Sequence, residues 1–203
     1  MSLTSVDVID RILSERLVIL LRAVEEPDRL VAELADAGIG VVEITMDSPG
    51  AERAIASARR RGDVSVVAGT VRTPAQVEAA AGAGAEACVA PVYTPQVVAR
   101  SLELGLPVIP AAFTPSELEA AFRAGAAMVK LFPADALGPS YVRHVLAPLA
   151  DVPVLASGGI DAENAHAYLA AGARAVALGS SVTKAPDPAA AARAALAAVR
   201  AAS

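Results

Sequence analysis

The 203-residue chain has one cysteine, two histidines, two lysines and no tryptophan. Cys88 stands in the apolar stretch EACVAP, and a single thiol builds neither a disulfide framework nor a cysteine metal cluster. His144 and His166 both fall in segments with helical spacing and make no zinc motif, so no metal and no cofactor is called for. Charge is modest: 17 Lys plus Arg against 22 Asp plus Glu leave −5, without the basic footprint that grips a phosphate backbone. The one basic cluster, Arg59-Arg60-Arg61, falls where a helix should end. No run approaches the ~20 apolar residues of a bilayer crossing. The N-terminus lacks the basic start and unbroken apolar core of a secretory signal. Nucleic acid and membrane are therefore excluded as partners, and a reducing cytoplasm is the expected location. With 55% hydrophobic and 19% charged residues, the chain has enough apolar surface to offset its ordering entropy and is not disordered.

What is present is a repeat. Short apolar, β-branched runs recur at 17–21, 41–45, 64–68, 87–91, 106–109, 128–132, 152–156 and 175–178, about twenty residues apart. Between them lie Ala/Leu/Glu/Arg segments with helical spacing, several opened by Pro or Asp and most closed by Gly. Strand and helix alternating at this interval imply parallel strands with helices outside. Eight units predict a (β/α)8 TIM barrel, one domain over 1–203, with an extra N-terminal helix over 5–16. An open doubly wound sheet is the competing arrangement. Even spacing and the lack of a Gly-x-Gly-x-x-Gly turn after the first strand disfavour it. In a barrel, functional groups belong at the C-terminal strand ends and in the loops that follow.

Those positions hold unusual residues. Lys130 sits inside the sixth run, AAMVKLFPA, where an ammonium loses hydration unless it is partnered or neutral. A neutral amine can attack a ketone and form a Schiff base, which an always-protonated arginine cannot. The competing reading is a lysine that snorkels to the rim or pairs with a buried carboxylate. Glu43, flanked by Val41, Val42 and Ile44, is the matching carboxylate, and both pointing inward would account for both. Asp47, four residues on, raises a second use for the acids, a Mg²⁺ site. The seventh and eighth strands end in Ser157-Gly158-Gly159-Ile160-Asp161 and Gly179-Ser180-Ser181, whose bare backbone suits an anion such as phosphate. Tight turns with Asp161 as a helix cap are the plainer account. Arg22, closing LVILLR, stands where it can grip a carboxylate or phosphate, or lie free in a loop. Tyr93, Tyr141 and Tyr168 read as packing or rim residues, and the two histidines as surface groups.

In order and spacing, VVEIT, VVAGTV, MVKLFPA, LGPSYV, SGGI and LGSS make this chain resemble the class I 2-keto-3-deoxy-6-phosphogluconate (KDPG) and 4-hydroxy-2-oxoglutarate aldolases over nearly its full length. The resemblance implies cleavage of a 2-keto-3-deoxy-6-phospho sugar acid to pyruvate and glyceraldehyde 3-phosphate, with 4-hydroxy-2-oxoglutarate as a further substrate. It also implies a homotrimer. By resemblance Lys130 forms the Schiff base, Glu43 is the general acid/base and Thr70 lies near the pyruvate carboxylate. Phe132 packs at the site, while Ser157, Gly158, Gly159, Gly179 and Ser180 surround the aldehyde portion and its phosphate.

The sequence departs from that pattern in places. Many KDPG aldolases carry an arginine where this chain has Asp47, and Arg22 then takes over the anion, as in the phosphogalactonate branch. Ser157 instead matches the gluconate type, leaving the stereochemical preference open. Val92 and Ala111 replace glycines and add side chains near the mouth. Asp47 either turns outward and caps the helix starting near Pro49 or pairs with Arg22, the first being preferred because Asp-Ser-Pro reads as a helix start. Two other functions compete: a phosphate-ligand-binding barrel or isomerase in which Lys130 and Glu43 form no Schiff base, and a Mg²⁺-dependent pyruvate aldolase using Glu43 and Asp47.

Overall fold

The computed structural model describes residues 8–202. The first half runs α1 (Val8–Glu15), β1 (Leu17–Leu21), α2 (Pro27–Asp36), β2 (Val41–Thr45), α3 (Ala51–Arg61), β3 (Ser65–Gly69), α4 (Pro74–Ala83), β4 (Ala87–Val89) and α5 (Pro95–Glu103). The second runs β5 (Val108–Ile109), β6 (Ala111–Ala112), α6 (Pro115–Arg123), β7 (Val129–Leu131), α7 (Gly138–Leu146), β8 (Val154–Ser157), α8 (Ala165–Ala170), β9 (Ala175–Leu178), α9 (Ser180–Thr183) and α10 (Pro188–Ala201). Pro opens α2, α4, α5, α6 and α10, where its missing N–H costs nothing. At α6 a capping box joins Thr114 and Glu117, and the N–H groups of Phe113 and Thr114 hold the Glu117 carboxyl below the usual carboxylate range.

All strand pairs are parallel, in the order β5-β4-β3-β2-β1-β9-β8-β7-β6. Eight strands were expected and nine are found, because Pro110 divides the fifth. Proline has no N–H to give a ladder, so the strand changes partner there: β5 pairs with β4, and β6 with β7. The Pro110 carbonyl still accepts from Lys130 N at 2.9 Å. The two ends of the order are thus halves of one strand, and the sheet comes round on itself as the predicted barrel.

Period-2 alternation splits the core into two layers. Ile19, Val42, Ile44, Val129 and Leu131 face the helices. Val18, Val41, Val67, Met128, Leu155 and Ala175 fill the barrel. The N-terminal helix belongs to the inner group, since Val8 and Ile12 pack with those residues at the barrel's lower end. The Glu15 carboxylate accepts from Gly40 N at 3.0 Å, and Arg11 donates to the Asp63 carbonyl at 3.0 Å. Of the helix expected over 5–16, residues 5–7 lie outside the described residues. No helix among those described is long and apolar enough to cross a membrane.

Candidate active site

The same parity that sends Val41 and Met128 into the barrel sends Glu43 and Lys130 inward, two residues nearer the C-terminal end. Lys130 lies in the ladder between Ala111 and Leu155, and Glu43 between Leu20 and Val67. Their side chains meet with Lys130 Nζ 3.6 Å from Glu43 Oε1, at 7% and 0% exposure. They are the only buried charged side chains among the described residues. Neither Glu43 oxygen has a hydrogen-bond partner there, so its carboxylate is held by the ammonium alone. A carboxylate so placed has lone pairs to offer an incoming hydroxyl. The Phe132 ring lies 5.6 Å from Nζ, within cation–π range.

Above this pair opens a cavity of about 1010 Å³ at the strand C-termini. Lys130 and Phe132 line one side, Arg22 and Thr70 another, and the β8 and β9 loops supply Ser157, Gly158, Gly159, Gly179 and Ser180. Glu43 does not line it. It lies beneath, against Gly69, where a Cβ would run into the carboxylate. Gly69 was missed in the sequence; a glycine ending an apolar strand is the signal of such close approach. Gly158 and Gly159 take φ of +98° and +65°, conformations that disfavour a side chain. Gly179 is unlike them: a Cβ there would meet only ordinary contacts with Leu20, which leaves its backbone open toward the cavity.

Thr70 is one of three non-glycine residues with positive φ among the described residues, at +56°. Its hydroxyl accepts from Arg22 Nη2 at 2.9 Å. The preferred reading of Asp47 as a cap is wrong. The α3 N-cap is Gly50, without a side-chain bond, and Asp47 Oδ2 instead lies 3.8 Å from Arg22 Nε, both side chains being about half exposed. Ser48 decides this geometry. Its hydroxyl joins Thr45 at 2.8 Å and accepts from Ala23 N at 2.8 Å, tying the two loops together and holding Asp47 beside Arg22. Glu43 and Asp47 therefore turn to different partners and do not share an oxygen site for Mg²⁺. No three His, Cys, Asp or Glu side chains cluster to hold a metal among the described residues.

Other expectations fare unevenly. Val92 is exposed and lines the cavity, whereas Ala111 is buried beside Lys130 in the ladder and adds nothing to the mouth. Asp161 accepts from Glu163 N and Asn164 N and so closes the turn before α8, whose N-cap is Asn164 rather than Asp161. His144 and His166 are exposed. Tyr168 is buried, and Tyr141 donates to the Phe113 carbonyl at 2.6 Å. Burial pushes the Cys88 thiol up to about 11. Two cavity-lining cations, Arg72 and Lys184, were not foreseen, since both fall in loops with no strand pattern to orient them.

The family model for KDPG and KHG aldolases matches residues 9–194. The chain belongs to this family. A relative from Escherichia coli (strain K12), a 2-dehydro-3-deoxy-6-phosphogalactonate aldolase, is 36% identical over 174 residues, covering 83% of this chain and 85% of that one. A solved native KDPGal structure superposes with a TM-score of 0.86 at 34% identity, covering 92% of this chain and 95% of the other. A KDPG aldolase from Legionella pneumophila, solved with pyruvate captured as a covalent carbinolamine, gives a TM-score of 0.77 at 26% identity over 93% and 94% of the two chains. As a member of the family, this aldolase is a class I carbon–carbon lyase.

Proposed function

We propose that Lys130 is the Schiff-base lysine and Glu43 the general acid/base of retro-aldol cleavage. The observation that carries this reading is the isolated, buried 3.6 Å pair beneath an otherwise open cavity. Passing the ammonium proton to the carboxylate frees the lysine lone pair for the substrate's 2-keto carbon. Glu43 returns that proton to the hydroxyl of the carbinolamine so formed, which leaves as water, and an iminium forms. Glu43 then takes the C4 hydroxyl proton, the C3–C4 bond breaks, and its electrons enter the iminium, which stores them as a neutral enamine. The aldehyde departs, the enamine is protonated at C3, and hydrolysis releases pyruvate and the free amine. Arg22 and Thr70 hold the keto-acid carboxylate, and Phe132 forms an apolar wall. Ser157, Gly158, Gly159, Gly179 and Ser180 receive the aldehyde half and its phosphate.

Borohydride reduction in the presence of pyruvate tests this directly. Mass spectrometry is expected to find a pyruvate-derived adduct on Lys130. A protein that acquires none functions as a phosphate-binding barrel or isomerase instead.

The chain is further read as one barrel domain over 1–203, working in the cytoplasm as a homotrimer. Light scattering should then give three times the 20.4 kDa chain mass, and a value of one chain mass at micromolar concentration refutes the trimer.

A further inference from the structure

Lys184 is one of only two lysines, and no part of the mechanism above uses it. It lines the main cavity and also a smaller one of about 440 Å³ between the β1–α2 loop and the start of α10, so it stands with Arg22 where the two meet. Its backbone is tied to the β9 loop: Lys184 N donates to the Ser180 carbonyl at 3.1 Å, and the Thr183 hydroxyl donates to the Gly179 carbonyl at 3.2 Å. Yet its ammonium has no ion pair or hydrogen bond among the described residues.

The surrounding acids explain why. Glu26 and Glu33 are taken by Arg29, Asp187 accepts from Ala190 N, and Asp161 accepts from Glu163 N and Asn164 N. Glu25 shares the smaller cavity but makes no ion pair with Lys184 within 4.0 Å. Arg22 is committed elsewhere, to Thr70 and Asp47. A substrate with an anion at each end needs a second cation near its outer end. Arg72, the other cation lining the main cavity without an ion pair among the described residues, follows β3, on the far side of the barrel from the β8 loop.

We infer that Lys184 is a specificity-determining residue: it binds the terminal phosphate of the aldehyde half, adding a point charge to the Gly179–Ser180 backbone. This rests on the proposed aldolase reading. A lysine suits the role because a flexible stem lets a compact ammonium follow a leaving product. Being exposed, it contributes a contact that weakens with added salt.

The test compares Lys184→Gln and Lys184→Arg with the unaltered protein. The substrates are a 2-keto-3-deoxy-6-phospho acid and its unphosphorylated counterpart, and calorimetric titration with inorganic phosphate accompanies the kinetics. Lys184→Gln is expected to lower the kcat/KM preference for the phosphorylated substrate by about tenfold or more, through KM, as befits a charge-assisted bond. Phosphate affinity should fall in parallel, and Lys184→Arg should restore most of both. An unchanged preference, or an equal loss on both substrates, overturns the inference. Pyruvate trapping on Lys130 separates the two claims: an adduct that forms while the preference stays unchanged refutes Lys184 alone. If no adduct forms at all, the aldolase reading falls and the phosphate titration still decides whether Lys184 binds the anion.

Discussion

Lys130→Arg is expected to abolish cleavage, lowering kcat/KM by at least about 10⁵-fold, the low end of what a positioned covalent group supplies. Arginine keeps a positive charge within reach of Glu43 but stays protonated, so it can serve as a structural partner and not as a nucleophile. The substitution therefore separates the two readings of a buried lysine. Lys130→Met asks the complementary question. It keeps an unbranched chain and leaves the Glu43 carboxylate uncompensated at 0% exposure, which costs about 3–5 kcal/mol in comparable buried pairs. For a chain of this size that is a fall in Tm of roughly 10 °C, and Lys130→Met with Glu43→Gln should recover much of it. Steady-state kinetics and thermal unfolding measure the two effects. Substantial turnover in Lys130→Arg would remove the Schiff base from the mechanism.

Glu43→Gln carries the second large effect. The amide has nearly the shape of the carboxylate and fits above Gly69, but it cannot accept the C4 hydroxyl proton. A loss of about 10²–10⁴ in kcat with little change in KM is expected, the range that one positioned proton-transfer group provides. Borohydride should still trap pyruvate on Lys130, more slowly, because imine formation does not break a C–C bond. A mutant that loses affinity and keeps kcat would make Glu43 a binding group, and one that keeps both would leave it a structural counter-ion.

Much of this site could be read before any coordinates. Eight apolar runs at even spacing favoured a parallel barrel over an open sheet, and Glu43 and Lys130 stood out as charges within apolar strands that account for each other if both face inward. Glycines at 158 and 159 read as bare backbone suited to an anion or a tight turn, and both take positive φ. The errors lie where local sequence has two outcomes of similar cost. Asp-Ser-Pro can cap a helix, but Ser48 bonds across to Thr45 and Ala23, and that cross-loop tie turns Asp47 to Arg22. Pro110 follows directly on the fifth apolar run, 106–109, and reads there as its end. Only its two different partners, β4 below and β7 above, show that it marks the seam of the barrel.

By itself, the sequence determined the succession of strands and helices, the two-residue grouping of side chains along each strand, and the family to which the chain belongs. These follow from short-range rules, the two-residue alternation of strands and the fixed order of motifs. Closure of the barrel decided the rest. It set Lys130 Nζ 3.6 Å from Glu43, buried that carboxylate beneath the cavity rather than in its wall, and brought Lys184 to the mouth beside Arg22. Each of those relations joins residues on different strands or loops, and the distance between them is set by how the strands tilt and stagger around the ring, which no local stretch of sequence records.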